Sequence, residues 1–261
     1  MTGIILAYCL IDLRTGEKVG FDEFIDSVSN SRLIFLGEHH TSKECHDFQL
    51  DVIRALYGRD TNIVIGWEMF QQPFQEWLDK YVQKKVHEVE FLYKTEWHKR
   101  WKYDIGLYRN IWKFAREKGI PMVALNIPTE FRKEVRQKDM TYEQLRRTRY
   151  MPSDLQPPDS IYIERFKEMV GSHEGMPLDK MVRGMIMWDE GMAKAIADYL
   201  KAHPQKKMVV LVGSGHVYGR LGIPDRVERM TGIRGVVVFP VSNVKKDLGQ
   251  GDYGICLSEE E

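Results

Sequence analysis

Glu38, His39 and His40 follow Gly37 at the end of a short apolar run, Leu33-Ile34-Phe35-Leu36. A carboxylate beside two imidazoles suits metal ligation or proton transfer, and the glycine permits the sharp turn that would aim them at a ligand. The same trio would also serve as a cap for the following helix. His46 and Gln49 stand three apart at the start of that helix, on one face near the loop. There they can act as a second shell that orients a ligand or fixes a tautomer. Glu68 ends the next apolar run, Asn62 to Trp67. If the two strands are neighbours in a parallel sheet, Glu38 and Glu68 come close enough to share a proton or bind a cation. Otherwise Glu68 caps a helix beginning near Pro73.

Gly213-Ser214-Gly215-His216 is a glycine turn that presents an imidazole, and its backbone N–H groups can hold an anion or a carboxylate. It lacks G-x-G-x-x-G, so a dinucleotide site is poorly supported, and Ser214 does not sit in a G-x-S-x-G frame. His216 is the better candidate. Asp189 sits beside Trp188 in a stripe of Met181, Met185, Trp188, Met192 and Ile196, where a carboxylate needs a partner such as His216 or a backbone donor. The methionines read as core. Arg100, Trp101 and Tyr103 lie among Trp97, His98, Tyr108 and Trp112, with Lys99 and Lys102 adding positive charge. Flat aromatic surface with cations suits a planar, acidic ligand such as haem with its propionates. Ordinary helix packing or a protein interface, a homodimer included, would use the same residues.

The elements that must position these groups follow from the apolar pattern. Strands are expected at Arg32–Gly37, Asn62–Trp67, Pro121–Asn126, Lys207–Gly213 and Gly235–Phe239, with a helix over His46–Leu56 after the first. Strands alternating with helices predict an α/β fold, a mainly parallel sheet with helices on both faces. Ligands in such sheets sit beyond the carboxyl ends of the strands, where Glu38, Glu68, Asn126 and His216 would converge. Long helical stretches at about 77–115 and 131–200 predict an inserted helical cap, the whole making one domain over residues 1–261. Thr15-Gly16 marks a hairpin at the edge of that domain, and the polar stretch from Lys245 to Glu261 reads as a loosely held terminus.

Composition narrows the partners. Thirty-eight basic and 38 acidic residues among 261 leave no net field to draw in nucleic acid or an acidic membrane. Hydrophobic residues at 43% can fill a core of this size. The three cysteines, Cys9, Cys45 and Cys256, include no C-x-x-C pair, so neither a disulfide framework nor a cysteine-ligated zinc is indicated. No apolar run reaches the roughly 18 to 20 residues of a membrane span. Ile4 to Cys9 has a faint likeness to the end of a lipoprotein signal, but Tyr8 is too bulky for the cleavage site and no basic start precedes it; a first strand is the simpler reading.

Six motifs in one order carry a resemblance. They are Ile11-Asp12-Leu13-Arg14-Thr15-Gly16, Leu36-Gly37-Glu38-His39-His40 with His46 and Gln49, Trp67-Glu68-Met69-Phe70 with Gln75, and Val123 to Pro128. Trp188-Asp189-Glu190-Gly191-Met192-Ala193 and Gly213 to His216 with Gly222-Ile223-Pro224 complete the set. The chain resembles the ChaN-like family of haem-iron uptake proteins, within the Tiki and erythromycin-esterase-like superfamily, over residues 11 to about 240. The resemblance implies an α/β fold with a helical cap and a haem- or iron-binding role in the cell envelope. The wider superfamily implies the alternative of a metal-dependent peptidase or esterase acting on a small molecule or peptide. In that alternative Glu38, His40, Glu68 and His216 are the catalytic set, and together with His39 they would hold a divalent metal.

Overall fold

The computed structural model describes residues 8–170 and 177–257. Eight strands form one sheet: β1 (Cys9–Asp12), β2 (Lys18–Val19), β3 (Leu33–Glu38), β4 (Ile63–Gln71), β5 (Met122–Asn126), β6 (Lys207–Gly213), β7 (Val236–Val241) and β8 (Tyr253–Cys256). Their spatial order is β2-β1-β8-β7-β3-β6-β4-β5. The six strands from β8 to β5 run parallel, while β1 is antiparallel to both β2 and β8. All five apolar runs named above are strands. The resulting fold is α/β.

Twelve helices lie between these strands among the described residues. α1 (Phe21–Val28) precedes β3 and α2 (Lys43–Arg59) follows it; α3 (Gln75–Val82), α4 (Glu88–Lys94), α5 (Trp97–Arg100) and α6 (Ile105–Lys118) join β4 to β5. α7 (Thr129–Gln137), α8 (Tyr142–Arg146), α9 (Ser160–Val170) and α10 (Leu178–Ala202) join β5 to β6, and α11 (Ile223–Thr231) and α12 (Val244–Asp247) precede β7 and β8. The helix expected over His46–Leu56 lies inside α2, which starts where the Ser42 hydroxyl accepts the Cys45 N–H. No helix among the described residues is long and apolar enough to cross a membrane.

Side chains alternate across the central strands, and each face buries its own core. Ile34, Leu36, Ile65 and Trp67 pack with Phe24, Ile53, Tyr108 and Trp112 on one side. Leu33, Phe35, Val64 and Val210 pack with Met192, Ile196 and Val227 on the other. Burial on both faces is why these strands read as unbroken apolar runs rather than alternating ones. The two long insertions are held differently. Residues of α3 to α6, among them Leu78, Phe91 and Trp97, belong to the first of these cores. A third cluster of Ile127, Phe131, Leu145, Met151, Tyr162 and Ile186 unites α7, α8, α9 and the first half of α10. The second half of α10 returns to the sheet through Met192, Ala193, Ile196 and Leu200.

One expectation is corrected at the ends of the sheet. The stretch from Lys245 is not loose as far as residue 257: it supplies β8, whose Tyr253 is buried and whose hydroxyl accepts an Arg14 N–H at 2.9 Å. Only its last four residues lie outside the described ones. Cys9 sits opposite Cys256 in the β1–β8 register, with Sγ atoms 2.7 Å apart. Both are free thiols, brought together over a separation no spacing rule reaches. Of the Ile4 to Cys9 segment, the residues before Tyr8 lie outside the described ones; the first strand starts at Cys9.

Candidate functional site

The sheet order decides how the carboxylates meet. β6 runs between β3 and β4, so the condition that Glu38 and Glu68 lie on neighbouring strands is not met. They flank the end of β6 instead. Glu38 is the register partner of Gly213, and the Gly213 N–H donates to Glu68 Oε2 at 2.6 Å. Glu68 therefore takes up the backbone donor of the glycine turn and does not cap the helix after Pro73. Both carboxylates are buried.

Glu38 is surrounded by donors. His40 Nδ1 lies 2.9 Å from Oε1, Tyr108 donates its hydroxyl to the same oxygen at 2.7 Å, and Gln49 donates to Oε2 at 2.8 Å. His46 Nε2 stands 3.3 Å from Oε1 out of hydrogen-bonding alignment, while its Nδ1 lies 2.6 Å from the Ser42 carbonyl oxygen. Burial would raise the Glu38 carboxyl, but the His40 hydrogen bond and the His46 ring hold it at about 2. Burial likewise opposes the His40 cation, yet the hydrogen bond to Glu38 and the Glu68 charge raise its pKa. Tyr108 is pushed up by burial and then by the Glu38 charge, so it remains a hydroxyl donor.

The second half of the cluster centres on His216, which the short turn Ser214–His216 carries over the end of β6. Its Nδ1 lies 2.6 Å from Asp189 Oδ1 and its Nε2 3.3 Å from Glu68 Oε1. Tyr162 donates to the other Asp189 oxygen at 2.9 Å. Burial would depress His216, but the Glu68 charge and the Asp189 hydrogen bond lift it to about 10. Burial acts against ionised Glu68 too; the His216 charge and hydrogen bond, His40 and the Gly213 N–H together lower its pKa. Glu38 is thus ionised and His216 protonated at neutral pH, each beside its counter-charge. Gly222 is required beside it, since a β-carbon there would lie 2.0 Å from the His216 carbonyl oxygen.

Access runs through His40, whose side chain keeps 26% of its exposure. Its ring centroid is 4.7 Å from that of Trp101 and 5.1 Å from that of Tyr103, which is 36% exposed. Lys102, at φ 73°, turns the chain after α5, and Trp97 Nε1 donates to the Tyr103 carbonyl at 2.9 Å. These contacts make an aromatic lip over the strand ends.

Several candidates fall elsewhere. His39 is exposed, outside the buried cluster. Arg100 is spent: it donates to Gln71 at 2.7 Å, to both Glu130 oxygens at 2.9 and 2.8 Å, and to Glu96 at 2.6 Å. It braces α5 against α7 and is not free to meet an acidic ligand. Asn126 donates to the Glu68 backbone carbonyl at 3.0 Å, not to its carboxylate. Among the described residues no three His, Cys, Asp or Glu side chains are grouped to hold a metal ion. The reason is visible in the bonding: both His216 nitrogens face carboxylates, and Glu38 oxygens are turned toward His40, Tyr108 and Gln49. Tyr162, which fixes Asp189, was missed as a site residue, and Tyr108 was named only as part of the aromatic surface and not as the donor to Glu38. Nothing in the sequence marked either hydroxyl's target.

Comparison with known proteins follows this geometry. The pattern of the family described as haem-binding uptake, Tiki superfamily, ChaN matches residues 24–227. No curated protein matches the chain. A solved structure of ChaN of Campylobacter jejuni, described by its cofacial haem binding, superposes with a TM-score of 0.72 at 21% identity, covering 95% of this chain and 96% of that one. An erythromycin esterase, EreC, as a point mutant in its open conformation, superposes with a TM-score of 0.53 at 13% identity over 95% and 82% of the two chains. The type III effector HopBA1 gives a TM-score of 0.53 at 14% identity over 90% and 91%. At these identities the structures show a shared fold.

Proposed function

The chain belongs to the haem-binding uptake family of the Tiki superfamily, the ChaN family, and from that premise we propose that it binds haem at the lip formed by His40, Trp101 and Tyr103. The observation that carries the placement is the exposed phenol of Tyr103 beside a half-buried imidazole and an indole, over the carboxyl ends of the strands. The residues fit the group. Tyrosine and histidine both ligate haem iron, and Trp101 offers a flat apolar face for the macrocycle. Glu38 holds His40 by Nδ1 and its Nε2 lies against Gly213 of β6, so His40 is a fixed wall of the lip and the Tyr103 phenol is the group placed to reach the iron. Bound haem would supply the iron and its redox chemistry; the chain's own residues bind and orient it. Arg100 has no part in this, being committed to Glu96, Gln71 and Glu130.

The test is a haemin titration followed at the Soret band, with Tyr103→Phe and His40→Ala beside the wild type. A saturable shift at a small whole-number stoichiometry, altered in at least one variant, is expected. A flat titration would sink the haem reading, and a normal one in both variants would move the pocket.

A second reading is favoured by the Glu38–His40 pair, a carboxylate and imidazole 2.9 Å apart next to a second carboxylate, Glu68. Such a set activates water for ester or peptide hydrolysis, with His40 moving the proton and Glu38 fixing its ring. Turnover of an ester or peptide panel, lost in His40→Ala and Glu68→Gln, would establish it; a panel with no turnover, with or without added divalent ions, would end it.

A further inference from the structure

A cavity of about 650 Å3 lies between α7 and α10, with the Trp188 ring between it and His216, 6.1 Å from that imidazole centre to centre. Arg132, Lys133 and Arg136 line it from α7, Lys180 and Arg183 from α10, and Trp188 forms part of its wall. One carboxylate, Asp139, also lines it and pairs with Arg183 Nη1 at 3.0 Å. The nearby acids of α7 are occupied elsewhere, Glu130 with Arg100 and Glu134 with Lys138. Among the described residues five cations thus share one concavity with a single counter-charge, an arrangement of mutual repulsion that an entering anion relieves.

The donors point the same way. Arg132 lies over the Trp188 ring at 4.3 Å, and its Nε is buried without an acceptor. Arg183 Nη2 and Trp188 Nε1 are also buried without acceptors. These three nitrogens are shielded by their own packing, so the groups left to meet a ligand are the exposed ends of Lys133, Arg136 and Lys180. Burial, aided by Arg136, lowers the pKa of Arg132, as expected of a cation held without its counter-ion. Among the described residues no tyrosine, histidine or cysteine lines the cavity, and those that do suit acidic groups.

We infer that this cavity recognises a small molecule carrying two or more carboxylate or phosphate groups on an apolar or flat body. Cations on both walls engage separate acidic groups, and the indole meets the body between them. The inference rests on the cavity's own residues and touches the haem reading at one point, since propionates are groups of this class.

Metal-free protoporphyrin IX, its dimethyl ester, haemin and inorganic pyrophosphate, each titrated into the full chain and followed by tryptophan fluorescence and calorimetry, test it. Protoporphyrin and pyrophosphate should saturate and compete, while the ester, with the same ring and no charge, binds about 10-fold or more weakly. The double variant Lys133→Gln/Arg136→Gln, at exposed positions, should weaken both anionic probes about 10-fold; Lys138→Gln, on the same helix but paired with Glu134, should not. Equal binding of acid and ester, indifference to the double variant, or no saturable signal with either anion overturns the inference. Haemin that binds wild type and double variant alike, beside unaffected anionic probes, leaves the haem reading standing and removes the cavity. Haemin that fails to bind, while pyrophosphate binds wild type and not the double variant, does the reverse.

Discussion

The His40 ring occupies the space that any side chain on Gly213 would need: a β-carbon there would lie 2.8 Å from Cε1 and 3.0 Å from Nε2. One imidazole is thereby clamped between the Glu38 carboxylate and the backbone of β6.

Gly213→Ala should therefore cost about 1–3 kcal/mol, because the ring is bonded to Glu38 and cannot yield freely. Urea denaturation reads the loss, and the His40 resonance should move with it. An unchanged midpoint would mean that the ring is not clamped.

His216 predicts a stability that weakens in alkali. Its folded pKa of about 10 lies above the ordinary value of 6.5, so its contribution is complete below pH 6.5 and lost as pH rises toward 10. Glu38 has the opposite sign: held at about 2, it stabilises above pH 4.5 and loses that contribution as pH falls toward 2. Denaturation midpoints between pH 6 and 10 should fall in the wild type and less so in His216→Asn; parallel profiles would refute the alkaline half.

Asp189→Ala removes one of the two carboxylates facing His216 and leaves the Tyr162 hydroxyl without its acceptor. A loss of about 3–5 kcal/mol is expected, as for other broken buried ion pairs. The His216 titration followed by NMR should fall toward the ordinary range. Tyr162→Phe, which keeps the carboxylate, should cost only about 1 kcal/mol and leave His216 raised.

The Cys9 and Cys256 thiols, 2.7 Å apart, should close to a disulfide under a mild oxidant such as oxidised glutathione, with loss of two hydrogens. Intact mass reads about 2 Da less, and the cross-link should add about 2–4 kcal/mol of stability. Cys9→Ser should show neither change. A wild type whose mass stays constant would show that the strand geometry resists closure.

How much of this was legible in the sequence differs by residue. The five central strands announced themselves because burial on both faces makes each an apolar run, and polar residues at their ends marked the site's edge of the sheet. Glu38, Glu68 and His216 could be gathered from that alone, and Asp189 from its place beside Trp188 in the apolar stripe of α10. The order of strands could not, so β6 between Glu38 and Glu68 went unseen. Strand β8 was overlooked because Tyr253 to Cys256 is four residues long and sits among glycines and acids. Arg100 and His39 show the other limit: residue type suggested a ligand, while Arg100 went to Glu96 and Glu130 and His39 to solvent. Tyr162 was hidden as an ordinary member of a helix stripe, and Tyr108, named among the cap aromatics, gave no sign that its hydroxyl goes to Glu38.

Strand β8 lies between β1 and β7, so one flank of the sheet joins segments nearly 250 residues apart in the chain. During synthesis the hairpin of β1 and β2 would emerge well before its partner, since 247 residues separate Cys9 from Cys256. Until then β7 presents an open edge, a template for pairing with other chains. Folding of this flank is set by the slowest, most distant closure, and a stalled or nicked chain would be exposed to misassembly there first.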